Sequence, residues 1–201
     1  NMRYFGMVEI GFESYNLGQT ENRAYPLSPD EIVSALKTEI RTSMNEKGRF
    51  FGFCHFLEPH DPYRTHSGFD FGEETLDRYD SEIAYCDDKV GEIIDHLKAE
   101  DLYDNTIVVI FSDHGEGFGD HGFKTHNSSL FEEEIHVPLV MRIPGVAPNR
   151  VKKNVSLIDV MPTAMTVMDI EDPVERLGSS LLPYMFGIKD APSRPIFAEQ
   201  Y

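Results

Sequence analysis

A chain of 201 residues with 40% hydrophobic positions can bury a core, and no apolar run approaches the roughly 20 residues that cross a bilayer. A net charge of -17 argues against nucleic acid and anionic membrane surfaces as partners, because both need a basic footprint. It also repels anionic substrates at long range, so any anion has to be recognised locally.

In chain order, residues 1–27, with Gly6, Gly11, Gly18 and Pro26, predict a loop or edge segment, and 28–201 an α/β core within a single, partial domain. Ser28-Pro29-Asp30-Glu31 has the form of a helix start: an N-cap, a first-turn proline and acids at the positive end of the dipole. Ile32, Leu36 and Ile40 then space an apolar stripe that ends at Gly48. Residues 50–56 predict a buried strand that packs His55, and residues 76–97 one long amphipathic helix on Tyr79, Ile83, Cys86, Val90, Ile93 and Leu97. Further strands are expected at 106–111, 138–143 and 195–198, with a helix kinked at Pro162 near 157–168. Cys54 and Cys86 fall on apolar patterns, as small core residues do.

Chemistry concentrates in two places. The run Thr106-Ile107-Val108-Val109-Ile110-Phe111 has no polar alternation, as in a strand buried on both faces, and leads into Ser112-Asp113-His114-Gly115-Glu116. Ligands of α/β sheets gather at the carboxyl ends of strands. There Asp113 and His114 offer one hard oxygen and one imidazole nitrogen, half of a metal site. Gly115, Gly117, Gly119 and Gly122 would let the loop wrap an anion, and the same loop contains His121, Lys124 and His126. Such company is uncommon in a chain with 8 histidines. The second place is Leu57-Glu58-Pro59-His60-Asp61-Pro62-Tyr63, where two prolines restrict the backbone around His60, as suits a general acid or an anion contact; a structural turn histidine is the competing reading.

These two motifs, with Tyr79-Asp80-Ser81-Glu82-Ile83-Ala84-Tyr85-Cys86-Asp87-Asp88-Lys89-Val90-Gly91, residues 130–139 and residues 156–163, resemble the sulfatase family of the alkaline phosphatase superfamily in content and order. The resemblance runs from about Phe50 to Gly187. It implies an alkaline-phosphatase-like fold with a central, mostly parallel sheet flanked by helices, and hydrolysis of a sulfate ester. It further implies that Asp113 and His114 ligate a divalent metal, calcium first, with manganese and magnesium as alternatives. His60 matches the histidine that assists the leaving group. His126 falls where many relatives carry lysine, which predicts a sharper pH dependence, and Lys124 and His121 are candidate substrate contacts. The substrate would be a small anionic ester of a sugar, lipid or aryl group, and family habit favours a periplasmic or secreted protein.

Two departures accompany the resemblance. Neither cysteine lies in a Cys/Ser-x-Pro-x-Arg motif, and the family's early acidic pair is missing. The chain therefore reads as the C-terminal portion of a longer protein, with formylglycine expected upstream and little activity of its own. Two alternatives stay open: a phosphodiester or phosphonate monoester hydrolase, or phosphoalcohol transferase, of the same superfamily; and a non-catalytic binding or subunit module.

Overall fold

The computed structural model describes residues 27–126, 129–171, 173–188 and 194–199, so the expectation for the first 26 positions lies outside it. The chain divides into two units, Asn1–Tyr103 and Asp104–Tyr201.

In the first unit α1 (Pro29–Lys47) begins as the sequence dictates. The Ser28 side chain accepts from the Glu31 N–H, and the Glu31 carboxylate accepts from Ser28 N–H at 2.9 Å, a complete capping box. The helix stops at Gly48, whose φ of 67° is left-handed and which donates its N–H to Met44 O. α2 (Thr75–Ala99) packs on α1, burying Val33, Ile40 and Leu97. Polar ties reinforce the packing: Lys37 meets Glu92 at 2.8 Å, and Lys89, almost enclosed, meets Asp30 at 2.8 Å and Glu92 at 2.5 Å.

The predicted apolar stripe of α2 is only partly its buried face. Ile83 is exposed, whereas Ser81, Glu82 and Lys89 are buried, because this helix packs against polar loop backbone as well as against α1. Residues 50–56 form no strand. Phe51 and Phe53 are 75% and 59% exposed and His55 is exposed too, since no strand among the described residues offers this segment a ladder. Gly52 packs so closely on α1 that an added Cβ would lie 2.9 Å from Leu36 Cδ1.

In the second unit β1 (Val108–Phe111) is followed by a hairpin of β2 (Gly117–Phe118) and β3 (Lys124–Thr125), a short helix α3 (Glu132–Ile135) and β4 (Leu139–Arg142). β1 pairs antiparallel with β4, Val108 opposite Arg142 and Phe111 opposite Leu139. Both ladders among the described residues are antiparallel, where a mostly parallel sheet was expected. Nor is β1 buried on both faces: Ile110 and Phe111 are exposed, as a two-stranded ladder leaves them. The Arg142 guanidinium donates to Thr106 O at 2.8 Å and to Asp104 at 3.0 Å, fixing the entry to β1.

Beyond a 3₁₀ turn at Leu157–Asp159 comes α4 (Val160–Val167), and then α5 (Leu182–Met185). Pro162 falls in the first turn of α4, where its missing N–H costs no intrahelical bond. Buried Asp159 accepts from the N–H groups of Ser156 and Ser179, both at 2.9 Å, and pairs with Arg194. Residues 195–198, expected as a strand, have no strand structure. Among the described residues no helix is long and apolar enough to cross a membrane.

Candidate functional site

Asp113 and His114 stand at the carboxyl end of β1, held there by the β1–β4 ladder. Ser112 Oγ donates to His114 O at 2.6 Å, and the His114 N–H donates to Asp113 Oδ1 at 3.1 Å. His114 Nδ1 lies 2.8 Å from Gly115 O, and since a carbonyl only accepts, Nδ1 carries the proton. The lone pair of the neutral ring is then on Nε2, which is how metal-binding histidines are commonly oriented.

Gly115 has a steric reason to be glycine. Its N–H donates to Glu134 O at 2.8 Å, and an added Cβ would sit 2.0 Å from Glu133 O, so at this point the loop meets α3 backbone to backbone. The glycines beyond it build a hairpin, in place of the expected wrap-around loop. Gly117 pairs with Thr125 and Phe118 with Lys124, and Gly119 and Gly122, at φ of 107° and 83°, make the turn.

This hairpin brings His126 onto His114, with ring centroids 4.1 Å apart. His126 Nδ1 lies 3.2 and 3.3 Å from the two oxygens of Glu116, so a carboxylate orients the ring. The preceding residue, Thr125, has a φ of 71°, a left-handed conformation that a β-branched residue adopts only under constraint. Lys124 is exposed in β3. His121 belongs to a separate cluster: its Nδ1 is 2.6 Å from Glu133 Oε1, and its ring stacks on Phe131 at 3.9 Å. The hydrogen bond from His121 holds the Glu133 carboxyl below the usual range.

His60 lies in the first unit, half-buried, between the cis peptide bonds Glu58-Pro59 and Asp61-Pro62. Its Nδ1 is 2.7 Å from Asp61 O, which places the proton on Nδ1. The loop lies along α2: Tyr63 packs edge-on to Tyr79 at 5.5 Å, Cys86 Sγ reaches Glu58 O at 3.4 Å, and His66 stacks on Tyr85 at 4.0 Å. Burial pushes the thiols of Cys54 and Cys86 up to about 11 and about 12, so neither is a thiolate near neutral pH.

Asp113 and His114 supply two donors of the kind a divalent cation takes, but among the described residues no group of three or more His, Cys, Asp or Glu side chains is arranged to hold one. Sequence reading missed the carboxylates that orient the histidines. Glu116 was legible as an acid within the Asp113-His114 block, whereas Glu133 and Glu82 meet their partners only through the fold.

The chain belongs to the sulfatase family, whose profile, Sulfatase, matches residues 10–170. Choline-sulfatase of Rhizobium meliloti is 34% identical over 147 residues, which are 66% of this chain and 28% of that protein. Human arylsulfatase K is 41% identical over 106 residues, 52% of this chain and 20% of that protein. The chain therefore spans well under a third of the length of these relatives. Among solved structures, Ps i-CgsB superposes with a TM-score of 0.66 at 22% identity, over 79% of this chain and 38% of that one, a likeness of fold. The phosphonate monoester hydrolase SpPMH from Silicibacter pomeroyi gives 0.54 at 32% identity, over 63% and 26%. The alkaline-phosphatase-like α/β class expected from the sequence is borne out by these matches.

Proposed function

We propose that this chain supplies the second half of the active site of a sulfuric ester hydrolase. The observation that carries the reading is the group at the end of β1: Asp113, His114 with its proton on Nδ1, and His126 stacked on His114 and oriented by Glu116. Family membership makes hydrolysis of a sulfate ester the reaction that such a group best serves.

Asp113 and His114 would hold a divalent cation, calcium by preference, together with donors from elsewhere in the protein. Bound there, the cation would supply Lewis-acid stabilisation of ester oxygens and of the attacking nucleophile. His126, its Nδ1–H directed at Glu116, contacts a sulfate oxygen through Nε2–H as an imidazolium, and exposed Lys124 adds local positive charge in a chain that is otherwise acidic. His60, whose Nδ1–H is taken by Asp61 O, acts through Nε2: as an imidazolium it gives a proton or hydrogen bond from Nε2–H to the departing alcohol. His121, held by Glu133, is the further substrate contact that the family resemblance implies.

The nucleophile is proposed to be a formylglycine outside these residues, since neither Cys54 nor Cys86 lies in a Cys/Ser-x-Pro-x-Arg motif. The substrate class is a small sulfated compound, in keeping with the names of the relatives, choline-sulfatase and a Δ4,5-hexuronate-2-O-sulfatase. Export to the periplasm or beyond is the proposed location.

The 32% identity to a phosphonate monoester hydrolase favours one second reading, hydrolysis of a phosphonate or phosphate diester on the same scaffold. Both readings are tested by supplying the full-length protein with paired sulfate monoester and phosphonate monoester substrates that share one leaving group. Peptide mass spectrometry establishes whether formylglycine is present. Faster release of sulfate supports the first reading; phosphonate turnover without sulfate release replaces it with the second.

A further inference from the structure

One side chain of α2 holds the loop that carries His60 at two points. Glu82 Oε2 accepts from the His60 N–H at 3.1 Å, and Oε1 accepts from the Arg64 N–H at 3.0 Å, so a single carboxylate spans the loop from 60 to 64. The side chain is 2% exposed. Its neighbour Ser81 takes the His66 N–H at 2.7 Å, continuing the attachment along the same helix.

Helix packing alone does not account for an acid at this depth. Burial pushes the Glu82 carboxyl up, and the two amide donors offset that only in part. A leucine or methionine of similar volume would fill the same space without the desolvation cost. What an apolar residue could not do is fix two loop amides at once, one of which belongs to His60.

We propose that Glu82 is a positioning residue for His60, its carboxylate holding the loop so that the imidazole is presented to the leaving group in one geometry. This rests on the reading of His60 given above. A rigid hold of this kind reduces the motion to be lost on reaching the transition state, where small misplacements cost large factors in rate. Glu82→Gln keeps size and shape but offers one acceptor oxygen where two amides need one each.

The test is a double-mutant cycle in the full-length protein: wild type, H60A, E82Q and H60A/E82Q. Each is assayed on a sulfate ester with a poor, alkyl leaving group and on one with a good, aryl leaving group, and each is checked for folding by thermal melting. E82Q is expected to lower kcat on the alkyl ester by at least about tenfold and on the aryl ester by less than about threefold. In the H60A background E82Q should change the alkyl rate by less than about twofold. Ser81→Ala, which loosens the same loop away from His60, should show no leaving-group selectivity. If E82Q does not fold, E82D, with a shorter reach, goes through the same cycle with the same expectation. Equal losses on both esters, an undiminished loss in the H60A background, or an S81A profile matching E82Q overturns the positioning role alone. An H60A protein that turns over the alkyl ester like wild type overturns the role and the reading of His60 together.

Discussion

The imidazole of His126 stacks on that of His114, ring centroids 4.1 Å apart, while its Nδ1 faces both oxygens of Glu116. The stack joins a residue at the end of β1 to one at the end of the hairpin, and Glu116, three residues after Asp113, holds the His126 ring by its Nδ1 edge. Glu116→Gln removes the charge that holds His126 and leaves the side-chain volume unchanged. The expected result is a loss of about tenfold or more in kcat/KM with little change in melting temperature, read from steady-state kinetics and thermal denaturation.

Gly115 is predicted to be intolerant of any side chain. A Cβ placed 2.0 Å from Glu133 O must push the loop away from α3 and break the bond from Gly115 N–H to Glu134 O. Gly115→Ala should cost roughly 2–3 kcal/mol, measured from the urea midpoint at an unchanged slope.

The Asp30–Lys89 pair ties α1 to α2 and gives stability a pH dependence. Hydrogen bonds from Lys89 and from the Tyr85 hydroxyl, the latter at 2.5 Å, hold Asp30 below the usual carboxylate range. A lowered pKa in the fold means that the contribution is complete above the ordinary carboxylate pKa of about 4 and is lost as pH falls through the lower folded value. Asp30 is largely open to solvent, so solvent screening limits the effect to about 0.5–1 kcal/mol. Asp30→Asn should lower stability by that amount at pH 7, and the gap to wild type should close in denaturation curves recorded toward pH 3.

Cys54 and Cys86 are expected to be slow toward thiol reagents. Burial raises both, to about 11 and about 12, so at pH 8 the thiolate fraction is small. Ellman's reagent should label neither at an appreciable rate in the native protein and both at once in denaturant; fast native labelling would contradict the burial account.

Much of the helical structure was legible because its signals are local. Ser28, Pro29, Glu31 and Gly48 delimit α1 by capping chemistry, and the four-and-three spacing of apolar residues locates α2 to within two residues. The strand signals at 106–111 and 138–143 proved sound, since β1 and β4 lie inside them. The same composition misled at 50–56, where aromatic residues favour a strand but no partner ladder forms among the described residues. The burial of Glu82 was invisible for a different reason. Periodicity counts apolar residues, and an acid buried to bind loop amides has no apolar signature. Asp113 and His114 could be found as a pair at a strand's end; the stack with His126 could not, because it depends on the register of Gly117 with Thr125. Glycine spacing alone did not distinguish that hairpin from an open loop.

The most direct measurement is the divalent metal content of the full-length protein, by elemental mass spectrometry after exhaustive dialysis, together with sulfate-ester turnover, in wild type and in the D113A and H114A variants. The account predicts close to one metal ion per wild-type chain, and in both variants a reduced metal content together with loss of metal-dependent turnover. Variants that keep the metal and the wild-type rate would contradict the assignment of Asp113 and His114.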